Sequence, residues 1–236
     1  MMALPQLNNA RYEVVIPSTG QTVTYRPYLV KEEKVLMMAM ESNDTKMIMN
    51  ATSDVIKACV FEDLNLDALA MFDIETLFIA LRSKSVGETV DLSVKCEHCD
   101  SRNDRTISFD DIQAPVVDDE NTTIMVTEDV GITLRYPSFT DINSIKGGSE
   151  ESIEGAFDLV TRCITTIFDE DGVYDTKNET KKSIIDFVES LNTEQFVKLS
   201  NFFQSMPALT YDMEFDCSSC GKENKQELRG LQSFFT

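Results

Sequence analysis

Thr89-Val-Asp-Leu-Ser-Val-Lys-Cys96-Glu-His-Cys99 is the stretch on which the reading of this chain turns. Apolar Val90, Leu92 and Val94 alternate with polar neighbours, the period of a half-buried strand. Two cysteines two residues apart then follow, the spacing that lets both thiolates of a tight turn face one metal ion. From Thr106 to Ile112 the alternation resumes, so the segment predicts a β-hairpin tipped by a metal knuckle. A second such segment lies 121 residues later at Cys217-Ser-Ser-Cys220. The register extends beyond the cysteines. Val90, Leu92 and Val94 fall on Tyr211, Met213 and Phe215, Ile107 falls on Leu228, and the helical run Asp73 to Ser85 falls on Glu194 to Met206.

A shorter offset of 104 lays Asp54-Val-Ile-Lys-Ala-Cys59 on Asp158-Leu-Val-Thr-Arg-Cys163. Val23 to Tyr25 with Arg26-Pro27 likewise resembles Leu134-Arg-Tyr136-Pro137. The extra residues of the second half fall in Phe168-Asp-Glu-Asp-Gly172 to Thr180, expected to be a polar loop. Six cysteines thus divide three and three between two halves, residues 1–119 and 120–236, joined by a linker from Gln113 to Thr123. The fold class expected is α+β: two related halves of strands, helices and a knuckle hairpin, joined by a zinc ribbon into one folding unit.

Upstream, Tyr12 to Ile16 and Gln21 to Tyr25 are short β runs around Pro17-Ser-Thr-Gly20, a turn that should close a hairpin. Helices are expected from Val30 to Ser42-Asn43, onward from Asp44 through Cys59 and Val60, and from a cap at Asp73 to a stop at Gly87. The methionines of Met37-Met38-Ala-Met40 suit either a core or an adaptable binding surface, and a core is the expectation. Asn201-Phe-Phe-Gln-Ser-Met-Pro207 is read the same way. Leu228, Leu231, Phe234 and Phe235 crowd a terminus that would ordinarily fray, so they should dock on the core or meet a partner.

Cys96, Cys99, Cys217 and Cys220 are the candidate ligands of one structural Zn2+. A metal-free knuckle and a redox Cys-x-x-Cys compete with this reading, but the redox motif ordinarily opens a helix. His98 is the one histidine of the chain and is expected to be an exposed knuckle residue. With no second histidine, a His-based metal centre of hydrolase type lacks its parts, a serine relay would have to draw on His98 of the knuckle, and four-thiolate zinc leaves no position for water. Cys59 and Cys163 lie among apolar neighbours and read as buried, inert thiols. Gly131 and Gly147-Gly148 form no phosphate loop. Asp169 to Asp175 lacks the spacing of a calcium hand and reads as a solvated loop.

The 236 residues carry 21 Lys and Arg against 41 Asp and Glu, a net charge of −20, spread alike over both halves. That balance repels phosphate backbones and anionic lipid, so neither nucleic acid nor membrane is an expected partner. No stretch approaches 18 uninterrupted apolar residues, and the opening lacks a signal-peptide pattern.

Several strings resemble a known family. Leu4-Pro-x-Leu7, Ile16-Pro-Ser-Thr-Gly20, Arg26-Pro-Tyr-Leu-Val-Lys-Glu-Glu33, Leu81-Arg-Ser-Lys-Ser-Val-Gly-Glu88, Thr193-Glu-Gln-Phe196, Phe203-x-x-Met206-Pro207 and Gly230-Leu-x-x-Phe-Phe235 are similar to the baseplate hub assembly proteins of T-even-like contractile-tailed bacteriophages. The resemblance spans nearly the whole chain. It implies a non-enzymatic hub subunit, or a chaperone that helps hub and tape-measure proteins associate. It places the chain in the host cytoplasm during assembly, with retention in the virion's tail baseplate left open. Other hub and tape-measure proteins are the implied partners, and an oligomer is compatible with the same reading. The alternative is a nucleic-acid-linked zinc-ribbon accessory protein of phage transcription, resting on Lys95, Arg102, Arg105, Lys222, Lys225 and Arg229 near the knuckles. A hydrolase using paired carboxylates is neither supported nor excluded by any spacing.

Overall fold

The alternation at Val23 and Tyr25 buries one side of an opening hairpin, β1 (Tyr12–Val15) paired antiparallel with β2 (Thr22–Tyr25). In the computed structural model, which describes residues 9–42, 44–117, 122–145 and 153–234, the turn between them closes as the Pro-Ser-Thr-Gly sequence predicts. Gly20 takes the left-handed conformation such turns require, with φ of 67°. Leu4-Pro-x-Leu7, Gly147-Gly148, Phe235 and part of the expected linker lie outside the described residues.

Helix α1 (Val30–Glu41) starts where Glu32 reaches back to accept the Leu29 N–H at 2.9 Å. Helix α2 (Thr45–Cys59) starts at Asp44, whose Oδ1 accepts from the N–H groups of Lys46 and Met47, and buries Ala51, Val55, Ile56 and Cys59. Helix α3 (Met71–Ser85) begins two residues before the expected cap. Asp73 therefore sits inside the first turn, fully buried, and accepts from the Ser18 N–H and hydroxyl at 2.9 and 2.6 Å. Its task is to hold the β1–β2 turn. Strands β3 (Thr89–Lys95) and β4 (Arg102–Ser108) form the first knuckle hairpin.

In the second half, β5 (Thr123–Met125), β6 (Gly131–Leu134), β7 (Ile164–Phe168) and β8 (Val173–Asp175) make a four-stranded antiparallel sheet in chain order. The expected polar loop after Phe168 is thus largely a hairpin. Its Asp169 folds back to accept from the Asp171 and Gly172 N–H groups, supplying the turn that composition alone reads as loop. Gly131 is structural: a Cβ there would strike the Phe168 ring. Helices α4 (Phe139–Asn143), α5 (Ile153–Cys163), α6 (Lys181–Glu189) and α7 (Thr193–Gln204) complete this part. Strands β9 (Thr210–Asp216) and β10 (Glu223–Arg229) form the second knuckle hairpin.

The chain is α+β and packs as two compact units. Unit 1 comprises residues 1–66, 72–116 and 208–236, and unit 2 comprises 67–71 and 117–207. The second knuckle hairpin therefore packs with unit 1. The reason is visible in the core. Leu92, Val94 and Ile107 of the first hairpin share one apolar cluster with Met213 and Phe215 of the second, closed by Leu209 and Phe234. Phe234 is 0% exposed and docks on the core, with Leu228 and Leu231 packed beside it. The core of unit 2 gathers Ile132, Leu134, Leu159, Cys163, Leu199 and Phe202, which puts Phe202 of the Asn201 to Pro207 run where a core residue was expected.

One core expectation fails. Met37, Met38 and Met40 are all at least half exposed, because α1 presents only Glu32, Leu36 and Ala39 to its neighbours. Met-Met-Ala-Met places the small residue on the buried stripe and the thioethers around it.

Candidate metal centre

Each knuckle begins where a strand runs into Cys-x-x-Cys. The Cys96 N–H donates to the Ser101 carbonyl and the Cys217 N–H to the Lys222 carbonyl, both at 2.9 Å. The residue after the second cysteine is left-handed in both, Asp100 at φ 56° and Gly221 at φ 70°. Asp is one of the few side chains that tolerates that conformation.

The two tips face each other within unit 1. The four sulfurs of Cys96, Cys99, Cys217 and Cys220 lie within 4.8 Å of one another, and the Cys96–Cys220 and Cys99–Cys217 pairs are each 3.7 Å apart. Cys96 and Cys217 are buried, while Cys99 and Cys220 are exposed. This set of thiols can hold a metal ion. The sequence brought together four residues from two segments more than a hundred residues apart. His98 is outside the set: it is exposed, and its Nε2 lies 3.1 Å from the Glu223 carbonyl.

Reciprocal hydrogen bonds hold the two hairpins together, and sequence reasoning missed them. Asn103 Oδ1 accepts from the Ser218 N–H at 2.8 Å, and Asn224 Oδ1 accepts from the Glu97 N–H at 2.9 Å. Arg105 donates to the Asp216 carbonyl at 2.8 Å, and Gln226 donates to the Lys95 carbonyl at 2.6 Å. Every one of these pairs exchanges under the same 121-residue offset that aligns the cysteines, so the junction has a local two-fold pattern. Laying Asn103 on Asn224 at that offset was the signal available in advance.

The thiols are not equivalent electrostatically. The Ser101 hydroxyl, 3.1 Å from both Cys99 and Cys217 sulfurs, and the Cys220 and Ser219 N–H groups bring Cys217 down to about 5. At Cys96 burial acts upward, but the His98 and Cys99 N–H groups and Asn224 outweigh it and hold the thiol below its ordinary value. Cys220 receives a hydrogen bond from Lys222 that favours the thiolate, yet partial desolvation and the adjoining Cys99, Cys217 and Cys96 thiols push it up to about 11. Four sulfurs this close cannot all ionise without a cation among them.

Away from the knuckles, one motif occurs twice. The Arg26 N–H donates to the Cys59 carbonyl, and its guanidinium reaches Glu32 and the Ala58 carbonyl, both at 2.9 Å. The Arg135 N–H donates to the Cys163 carbonyl, and its guanidinium reaches Asp141 and, at 3.0 Å, the Arg162 carbonyl. Glu32 and Asp141 also accept from the N–H of the residue three before them, Leu29 and Ser138. Cys59 and Cys163 are buried beside these pairs, and burial pushes their thiols up to about 11 and about 12. In unit 2 a groove of about 770 Å³ runs past Phe157, Phe196 and Val188, and its Asp158 pairs with Arg162 and Lys181.

The clustered chemistry of this α+β chain is four facing thiols with no histidine among them, a donor set of the kind that can hold a metal ion. The chain belongs to the T4 bacteriophage base plate protein family, whose family model matches residues 9–236. That membership indicates a structural role in the phage tail baseplate. No curated protein and no solved structure matched the chain. Among the described residues, no helix is long and apolar enough to cross a membrane.

Proposed function

We propose that the chain is a non-enzymatic hub subunit or hub assembly chaperone, acting through contacts with other hub and tape-measure proteins while tails are built in the host cytoplasm. The family match over residues 9–236 carries this reading. The single histidine supports it, since a His-based metal centre of hydrolase type would lack its second histidine and a serine relay would have to draw on His98 of the knuckle. Strong acidity keeps such a protein soluble and steers basic partners toward it.

Within this role, Cys96, Cys99, Cys217 and Cys220 ligate one structural Zn2+ that clasps two related halves, 1–119 and 120–236, into a zinc ribbon. A tetrahedron with zinc–sulfur bonds of about 2.3 Å has sulfur–sulfur edges of about 3.8 Å. The 3.7 Å separations between hairpins fit that figure. The repeated Arg26 and Arg135 motifs and the reciprocal Asn103 and Asn224 bonds support a duplication. Nothing favours the nucleic-acid alternative: of the basic residues near the knuckles, Arg105 is held by a carbonyl and Lys225 pairs with Glu214 and Glu223.

Two measurements test the reading. Native mass spectrometry before and after a chelator should give one zinc per chain, lost on chelation; a folded, reduced chain without metal refutes the clasp. Phage lacking this protein should make no complete baseplates, and mass spectrometry of purified virions separates a retained subunit from a departing chaperone. Normal tails in its absence refute the role itself.

A further inference from the structure

The densest exposed apolar surface in unit 1 lies on α1 and the start of α2. Val30 is 80% exposed, Met37 58% and Met38 60%, and Val35, Met40 and Met47 are each exposed by about half. Exposed aliphatic side chains are ordinary singly, but a contiguous group of flexible thioethers on one helix marks a contact surface. The buried stripe of α1 is Glu32, Leu36 and Ala39, and the opposite face runs through Val30, Lys34, Met37, Met38 and Glu41.

The charges on that face identify the occupant. Lys34 and Glu41 are exposed, and among the described residues neither takes part in an ion pair. Seven residues apart, they lie on one side of the helix about 10.5 Å from each other, too far to pair within the chain. Met37 and Met38 sit midway between them. Reversing this face end for end exchanges Lys34 with Glu41 and Met37 with Met38, so its charge pattern complements its own antiparallel image. A parallel arrangement would set Lys34 against Lys34 and Glu41 against Glu41. The surrounding charge is balanced too: Arg26 and Lys31 both pair with Glu32, and with Glu33, Lys34 and Glu41 the helix and its flank carry three charges of each sign. A chain of net charge −20 thus carries a locally neutral, self-complementary apolar face.

We propose that this face binds a second copy of the chain. The two α1 helices pack antiparallel about a two-fold axis between Met37 and Met38, and Lys34 of each copy pairs with Glu41 of the other. An isologous contact of this kind makes each residue meet its counterpart twice. One helix face is a small interface, so the dimer belongs among the weak, transient class and forms at micromolar concentrations rather than nanomolar.

Sedimentation velocity of the full zinc-loaded chain across about 1–200 µM, the range in which weak interfaces of this size assemble, tests the proposal. The mass should rise from monomer to dimer. Met37→Ser with Met38→Ser should abolish the rise without changing the melting temperature, since both side chains are exposed. Lys34→Glu and Glu41→Lys should each weaken dimerisation about tenfold, and the two together in one chain should restore it to within about threefold, as expected for a facing charge pair. A monomer throughout the range overturns the proposal, as does a dimer indifferent to the methionine change. A charge-swapped chain weaker than either single variant refutes the antiparallel pairing.

Discussion

Asn103 and Asn224 are 2% and 1% exposed, and each hydrogen-bonds the backbone of the opposite hairpin. Replacing Asn103 with Ala removes the acceptor for the Ser218 N–H and hydroxyl and the donor to the Ser101 carbonyl. Replacing Asn224 with Ala strips the acceptor from the Glu97 N–H and the donor from the Lys222 carbonyl. A hydrogen bond contributes about 0.5–1.5 kcal/mol net, and a buried group left without a partner costs about 1–3 kcal/mol. Two to three bonds made by nearly buried amides therefore give a destabilisation of about 2–3 kcal/mol for each substitution. In a chain of this length that corresponds to a fall of roughly 4–12 °C in melting temperature. The double variant should cost less than the sum, because either loss opens the same junction. Asn103→Asp discriminates further: it keeps an acceptor for Ser218 but sets a negative charge near the Cys217 sulfur, so it should weaken metal retention more than Asn103→Ala does. Differential scanning calorimetry with and without zinc, paired with a competitive zinc titration, reads both effects. Single substitutions that shift the transition by less than about 1 °C, the scale of an ordinary surface change, would falsify the reciprocal-lock reasoning.

Other outcomes follow from the same geometry. Cys217→Ser should release the metal and destabilise the chain by at least about 3 kcal/mol, since metal binding and folding are coupled; retained zinc on gel filtration argues against Cys217 as a ligand. A thiol with pKa about 11 or 12 is thiolate in only about one part in a thousand or fewer at pH 8, so Cys59 and Cys163 should ignore a thiol reagent until the chain unfolds. Chelation should expose only the four knuckle thiols to it, and six fast-reacting thiols in the folded chain would contradict the burial. Burial raises the Asp141 carboxyl, but Arg135 and Ser138 outweigh it and hold the group below its ordinary 3.8. The folded value lies below the unfolded one, so this stabilisation is present above pH 4 and is lost as the pH falls through the folded value. Asp141→Asn should flatten the acid limb of a melting-temperature profile, and an unchanged limb speaks against the pair.

The elements that announce themselves by period were legible from sequence: the alternation of Val90, Leu92 and Val94, the turn at Gly20, and the knuckles themselves. Val90 pairs with Ile107 and Tyr211 with Leu228, the correspondence the offset implied. Where local pattern and tertiary context diverged, context decided. Asp73 has the chemistry of a cap, but Ser18 needs its carboxylate more. Met37, Met38 and Met40 have the hydropathy of a core, but α1 offers only one narrow buried stripe. Asn103, Asn224 and Arg135 are polar residues whose value lies in the distant backbone they meet, which no window of neighbouring residues records. That the two knuckles would meet was legible in the cysteine spacing, whereas the shared apolar cluster beneath them depends on which faces match across a hundred residues.

The chain's order has a consequence on the ribosome. Unit 2 is complete once Pro207 has been made, whereas unit 1 still awaits the β9–β10 hairpin and Phe234. The inserted part can therefore finish folding before its host does. At a synthesis rate of about 5–20 residues per second, Cys99 waits roughly 6–24 s for Cys217 to be made. Through that interval the first knuckle is a bare dithiol beside a half-built core, open to oxidation or to a stray metal. The β9–β10 hairpin and Phe234 close unit 1 and end that exposure together.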